Sequence, residues 1–283
     1  MKIGIGLPNT TLGVNRELII NWARQADEGQ FSTLGVFDRL LYDSYEPLTT
    51  LAAVSTITSR IGLATTIAIS PLRNTATLAK SAATVDALSG GRLTLGLAVG
   101  ARRDDYQVAQ VDYRSRGKIL TEQLTALRTH WEDERFGPTA VQPAGPRIIV
   151  GGGSDIVFAR MARYANGYIH GGGPPRAFAR VADKARAAWK DAGRPGKPLL
   201  WAQGYYALGG EATLQAGADY LHSYYAFTGP FVERIVDGLL TTPQAIAQFV
   251  NGYKEAGCDE LILYPTISRL DQLTQLADVV ATL

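Results

Sequence analysis

The sequence predicts an α/β fold, a single closed (β/α)8 TIM barrel running over residues 1–283, and three observations predict it. Eight short segments rich in β-branched and aliphatic residues alternate with segments of helical periodicity along the whole chain. Several of the strand segments are almost continuously apolar, as parallel strands covered on both faces must be. Their C-terminal ends pass abruptly into charged or glycine-rich text, which is where parallel α/β proteins place their chemistry. A length of 283 residues would suit two domains of about 150 residues, but barrels of this kind reach roughly 250 residues as one domain. No internal repeat or low-complexity segment divides the chain.

In chain order, Lys2 to Pro8 is the first strand and Arg16 to Glu28 the first helix, with Leu18, Ile19, Trp22, Ala23 and Ala26 on one side. Phe31 to Leu40 is a second strand, and Pro47 opens a helix over Leu48 to Ser59. Ile61 to Ser70 is a third strand ended by Pro71, which cannot donate into a continuing ladder. Asn74 caps a helix over Thr75 to Leu88, and Ser89, Gly90 and Gly91 stop it. Arg92 to Gly100 is the fourth strand and Tyr113 to Trp131 the next helix. After a polar connection, Arg147 to Gly153 and Gly167 to His170 are strands, each followed by a helix (Ser154 to Ala165, Pro174 to Ala192). Pro198 to Leu208 is the seventh strand, Glu211 to Gly257 holds two or three helices, Glu260 to Tyr264 is the eighth strand, and Arg269 to Leu283 the last helix.

Composition narrows the function. A net charge of +2 with no basic run or interleaved aromatic patch argues against nucleic acid. Cys258 is the only cysteine, so neither an intrachain disulfide nor a thiolate metal cluster is expected. His130, His170 and His222 have no metal-ligand spacing, and no serine sits in a nucleophile elbow. No apolar run approaches the roughly 20 residues of a membrane span, and the first residues enter a strand without a leader pattern. A cytoplasmic enzyme or binding protein is expected.

The stretch from Ile61 to Tyr106 is the most informative. Its pieces Pro71 to Asn74, Leu88 to Arg92 (LSGGR), Leu95 to Gly100 (LGLAVG) and Asp104 to Tyr106 (DDY) jointly resemble the luciferase-like family of flavin- or F420-dependent oxidoreductases. The resemblance covers nearly the whole chain and implies a luciferase-like barrel that binds F420, or alternatively FMN, together with a small-molecule substrate. It implies cofactor contacts from Asp38 at the end of the second strand. It implies them also from Thr65, Thr66 and Ile67 in the third strand and from Ala98, Val99 and Gly100 closing the fourth. A non-prolyl cis peptide between Thr66 and Ile67, backing the central ring, is implied as well. The run Gly151, Gly152, Gly153 and Ser154 reads locally either as a tight turn capped by Ser154 or as a phosphate cradle at a helix N-terminus. The resemblance favours the cradle.

Two departures stand out. Where relatives often read Asp-His, this chain has Asp38 and Arg39; where some place a glutamate after the fourth strand, it has Ala101. Arg39 is therefore the candidate catalytic residue, a fixed cation in place of a proton donor. Arg102 and Arg103 read either as exposed loop residues or as contacts to an anionic ligand. Tyr205, Tyr206, Tyr220, Tyr224, Tyr225 and Phe227 read as core or as pocket wall. The expected function is F420-dependent hydride transfer to or from a small organic molecule. An FMN-dependent two-component monooxygenase and a non-catalytic flavin-binding protein are the alternatives. A homodimer is expected, because the alanine-rich helix over Thr75 to Leu88 shows more apolar surface than one barrel wall needs.

Overall fold

The computed structural model describes residues 1–283. Eight parallel staves close into a barrel, each followed by helix or loop on the outside, as the alternating pattern predicts. The staves are β1 (Lys2–Gly6), β2 (Thr33–Val36), a third in two halves, β3 (Gly62–Thr65) and β4 (Ala68–Ile69), then β5 (Leu93–Ala98), β6 (Arg147–Gly151), β7 (Gly167–His170), β8 (Leu199–Tyr206) and β9 (Glu260–Pro265). The ladder runs β3-β2-β1-β9-β8-β7-β6-β5-β4, and pairing of β3 with β5 (Leu63 with Leu93, Ala64 with Thr94) closes the ring. The helices are α1 (Arg16–Glu28), α2 (Pro47–Ser55), α3 (Thr75–Ser89), α4 (Arg103–Val108), α5 (Arg116–Glu132), α6 (Ile156–Tyr164), α7 (Pro175–Asp191), α8 (Glu211–Tyr225), α9 (Val232–Val236), α10 (Pro243–Glu255) and α11 (Asp271–Val280). No helix is long and apolar enough to cross a membrane.

Side-chain alternation splits the core in two. Outward residues such as Ile5, Leu34, Leu63, Leu95, Val150 and Leu261 join the helices in a large shell. Inward residues, among them Phe37, Ala64, Ile149, Ile169, Trp201, Tyr205, Ile262 and Tyr264, fill the barrel itself. Tyr264 fits because β1 and β2 offer Gly6 and Gly35 opposite it, where any Cβ would overlap its ring or its hydroxyl. Phe37 stacks on Tyr264 with ring centroids 3.8 Å apart.

Several expected boundaries move. The second strand ends at Val36, not Leu40, because the Phe37 N–H donates to Asn9 Oδ1 and the chain leaves the sheet. The third breaks at Thr66 and Ile67, and the peptide between them is trans; the cis bond of the chain is Gly137–Pro138. The break needs no cis bond, since the Thr65 hydroxyl stitches it, donating to Gly96 O at 2.7 Å and accepting from Gly96 N at 2.8 Å. The charged text after β5 forms α4, and Asn74 and Gly90 cap α3 as the sequence indicates, with Gly90 at φ +66°. The surplus apolar face of α3 is covered within the chain, by α2 on one side and α5 on the other.

Candidate active site

The C-terminal mouth of the barrel divides into a filled half and an accessible half. On the β1, β2, β8 and β9 side, α8 lays aromatic side chains over the opening. Tyr220 shares a hydrogen bond with Thr10 (2.7 Å), Tyr224 lies edge-on to Tyr42, and Tyr205 and Tyr225 join their hydroxyls. Burial holds the phenols of Tyr205, Tyr220 and Tyr224 well above their usual range, so they stay neutral donors. Of the six aromatics left open between core and pocket, Tyr205, Tyr220 and Tyr224 are thus core, Tyr225 is half-buried against them, Tyr206 packs outward, and only Phe227 is exposed.

The accessible half is bounded by Ile67, the end of β5, and the turns after β6 and β7. Ile67, released from the ladder, points inward close to Gly96 and Gly151 and is half-buried. Ala98 is buried, Val99 and Gly100 are half-exposed, and the Tyr106 hydroxyl donates to Val99 O and fixes the turn. Gly151 is buried at the end of β6, while Gly152, Gly153 and Ser154 are exposed. Gly152 has φ +144°, and a Cβ on Gly153 would meet nothing within 4 Å. The Tyr168 hydroxyl donates to Gly152 O at 2.9 Å and anchors the turn. The residue before α6, Asp155, makes no side-chain cap, and its carboxylate pairs instead with Lys184 at 2.7 Å. Val157 N and Phe158 N already donate to Ser154 O and Asp155 O at 3.0 and 3.1 Å, so at the start of α6 the Ile156 N–H is the one left for an anion. After β7 a second glycine turn, Gly171 to Gly173, lies alongside.

His170 ends β7 half-buried, with an enclosed Nε2 that has no partner. Burial lowers its pKa, with a backbone bond at Gly172 opposing, so the ring is neutral at pH 7. Gln203 reaches up from inside β8 and donates to Gly171 O at 3.3 Å. Sequence reading passed over Gln203, although a polar residue at an inward position between Trp201 and Tyr205 is the available signal.

Arg39 lies at the seam of the two halves. Its Nη1 donates to Tyr224 O at 2.9 Å, its guanidinium sits 4.0 Å above the Tyr42 ring, and its Nε is enclosed without a partner. Burial and the charge of Arg102 lower its pKa, yet a guanidinium remains cationic at neutral pH. Asp38 is committed elsewhere: its Oδ2 accepts from Ile69 N at 2.7 Å and pairs with Arg73 at 2.5 Å. Thr65 and Thr66 are buried, the latter bonded to the Tyr264 hydroxyl behind the bulge. Arg102 pairs with Asp104 and Asp105, and Arg103 lies over Tyr113. The structure thus gathers Ile67, Ala98 to Gly100 and Gly151 to Ser154 around one opening, with Asp38, Thr65 and Thr66 as its buried support.

A planar redox cofactor with a phosphate arm fits what is present. The open glycine turn suits the phosphate, the inward bulge suits a flat ring, and the enclosed Nε of Arg39 and Nε2 of His170 are each without a hydrogen-bond partner.

The family model described as luciferase-like monooxygenase matches residues 1–259. An uncharacterized protein of Mycobacterium tuberculosis is 34% identical over 171 residues, which cover 55% of this chain; the match spans only 60% of that protein's length. Among solved structures, the monooxygenase RslO1 from Streptomyces bottropensis aligns over 100% of this chain and 98% of its own, with TM-score 0.83 and 20% identity. An F420-dependent secondary alcohol dehydrogenase in complex with an F420-acetone adduct aligns over 98% and 97%, with TM-score 0.80 and 15% identity.

Proposed function

The chain belongs to the luciferase-like monooxygenase family, and from that premise we propose that it is an F420-dependent oxidoreductase moving a hydride between the deazaflavin and a small organic molecule. The observation that carries this reading is the set of groups at the seam. Asp38 and Asp105, the carboxylates of the mouth's wall, are already bonded, to Ile69 N and Arg73 and to Leu41 N. What faces the opening is a fixed cation, Arg39, and an amide, Gln203, with the neutral imidazole of His170 closing the adjacent stave beside Phe178. Such a set stabilises negative charge developing on an acceptor without needing a carboxylic acid to donate a proton.

The turn Gly151 to Ser154 would hold the cofactor phosphate, and Ile67 and Ala98 to Gly100 would seat the ring. When bound, the deazaflavin supplies the two-electron chemistry. Arg39, pinned by Tyr224 O and Tyr42, orients its positive charge across the opening. His170, neutral because it is buried, offers Nε2 as a hydrogen-bond partner. The aromatic cap of α8 keeps water from the inner wall.

Arg39→Ala is expected to slow turnover by about two to three decades, the effect of losing one oxyanion-type contact of roughly 3 to 4 kcal/mol, while cofactor affinity stays nearly unchanged. Gly152→Asp is expected to do the reverse, placing a carboxylate beside the phosphate. Titration with F420 and with FMN, followed by fluorescence, reads affinity; anaerobic turnover reads rate. The same cradle would take FMN, and the family description favours that as the second reading. Product formed only with reduced FMN and oxygen, carrying label from isotopic oxygen gas, would establish the monooxygenase instead.

A further inference from the structure

A cleft of about 610 Å3 opens on the N-terminal end of the barrel, across the molecule from the glycine turns. It is formed by the second half of α5, the chain entering β6, the turn between α6 and β7, and Arg194 beyond α7. Four of its residues are arginines, Arg128, Arg147, Arg163 and Arg194, and none is aspartate or glutamate. Some arginines elsewhere are ion-paired, Arg73 with Asp38, Arg102 with Asp105 and Arg269 with Asp271. None of these four has an ion pair.

Two of them are built into the wall. Arg128 donates to Ala144 O, Pro146 O and Asn166 Oδ1 at 2.6, 3.2 and 3.1 Å. Arg194 donates through Nη1 to Ala162 O and Ala165 O and stacks 3.7 Å over Trp189, which leaves its Nε and Nη2 unbonded. The other two, Arg147 and Arg163, are exposed and donate to nothing within the chain. Burial first, and the charge of Arg194 second, lower the pKa of Arg128. Glu132 acts on Arg128 and Arg147 acts on Glu260 at longer range, but neither carboxylate enters the cleft. Asn166 uses its carbonyl oxygen for Arg128 and for Ile148 N, so its NH2 group is also free.

We propose that this cleft is a second binding site, for a small, multiply charged oxyanion whose phosphate or carboxylate groups are held between the fixed Arg194 and the exposed Arg147 and Arg163. Guanidinium forks match such oxyanions two N–H groups at a time, and convergent like charges with no internal counter-ion gain most from an external one. The volume is in the range that holds a metabolite, so the ligand is a molecule and not a lone halide.

The test is calorimetry on the full chain at low ionic strength with pyrophosphate and with citrate, which separates the phosphate from the carboxylate class. One saturable site is expected for at least one of them, weakened at least about tenfold in Arg147→Gln/Arg163→Gln. Because both positions are exposed, the double variant should keep the parent melting temperature and the parent affinity for F420 or FMN. Gly152→Asp, which alters the opposite end of the barrel, should leave anion binding intact. Absence of a saturable site for both anions, binding that survives the double variant, binding lost in Gly152→Asp, or equal competition by sulfate would each overturn the proposal.

Discussion

At Glu260 a single carboxyl sits inside the bottom of the barrel, accepting from Ser32 Oγ at 2.5 Å. Burial raises its pKa, and the Ser32 and Thr33 hydroxyls and the charges of Lys2 and Arg147 only partly offset that. For a carboxyl with a raised folded pKa, stability is fully present below the unfolded value near 4.3 and is lost as pH rises through the folded value. Glu260→Gln is therefore expected to resist urea better than the parent at pH 8, with the advantage vanishing near pH 4. Equal midpoints at both pH values would count against the argument. Tyr264 makes a second residue-level case. Gly35→Ala forces a methyl against the Tyr264 hydroxyl and is expected to cost about 1 to 3 kcal/mol. In a Tyr264→Phe background, where the hydroxyl is gone, the same change should cost measurably less, so a double-mutant cycle by chemical denaturation would show coupling.

At the scale of elements, the long connection between α5 and β6 is held at its ends by Lys80, which donates to Phe136 O, and Arg128, which donates to Ala144 O and Pro146 O, and in its middle by one buried side chain. Asp86, on α3, accepts from Val141 N at 2.7 Å, Gln142 N at 3.2 Å and Gln142 Nε2 at 2.6 Å. Gln142 in turn donates to Leu93 O at the start of β5. Asp86→Ala would remove a charged acceptor from three donors, at roughly 1.5 to 3 kcal/mol for the strongest of them. Trypsin is expected to cut the variant after Arg135 under conditions where the parent resists; unchanged proteolysis would show that the bonds from Lys80 and Arg128 hold the loop without Asp86. The broken third stave illustrates the same dependence on side chains. The sequence marks a strand from Ile61 and its end at Pro71, but the interruption at Thr66 and Ile67 rests on the Thr65 hydroxyl reaching Gly96, a pairing across 31 positions that no local pattern displays.

For the whole molecule, one closed ring of staves ties the first strand to the last through β1 and β9, with Lys2 to Ile5 registered against Glu260 to Leu263. The chain is therefore expected to unfold in one cooperative calorimetric transition as a single domain; two resolved transitions would divide it. The homodimer remains a proposal on altered grounds. Since α2 and α5 cover α3 within the chain, its outer face offers Ala76, Thr77, Lys80 and the half-exposed Leu88, more polar than its composition suggests. Equilibrium ultracentrifugation should find a dimer at micromolar concentration, and a monomer there would remove the proposal.

By itself the sequence determined the barrel, because eight apolar strands spaced by amphipathic helices leave few other ways to bury both faces of a parallel sheet. It determined the caps at Asn74 and Gly90 and the glycine turn after β6, all of which depend on neighbours within a few residues. Only tertiary structure decided which candidate side chains remain available. Asp38 and Arg39 are adjacent in sequence, yet one turns to Ile69 and Arg73 while the other is held by Tyr224, 185 positions away. Gln203 and the arginine cleft became visible for the same reason: closure of the ring brings together groups whose separation along the chain carries no periodic signal.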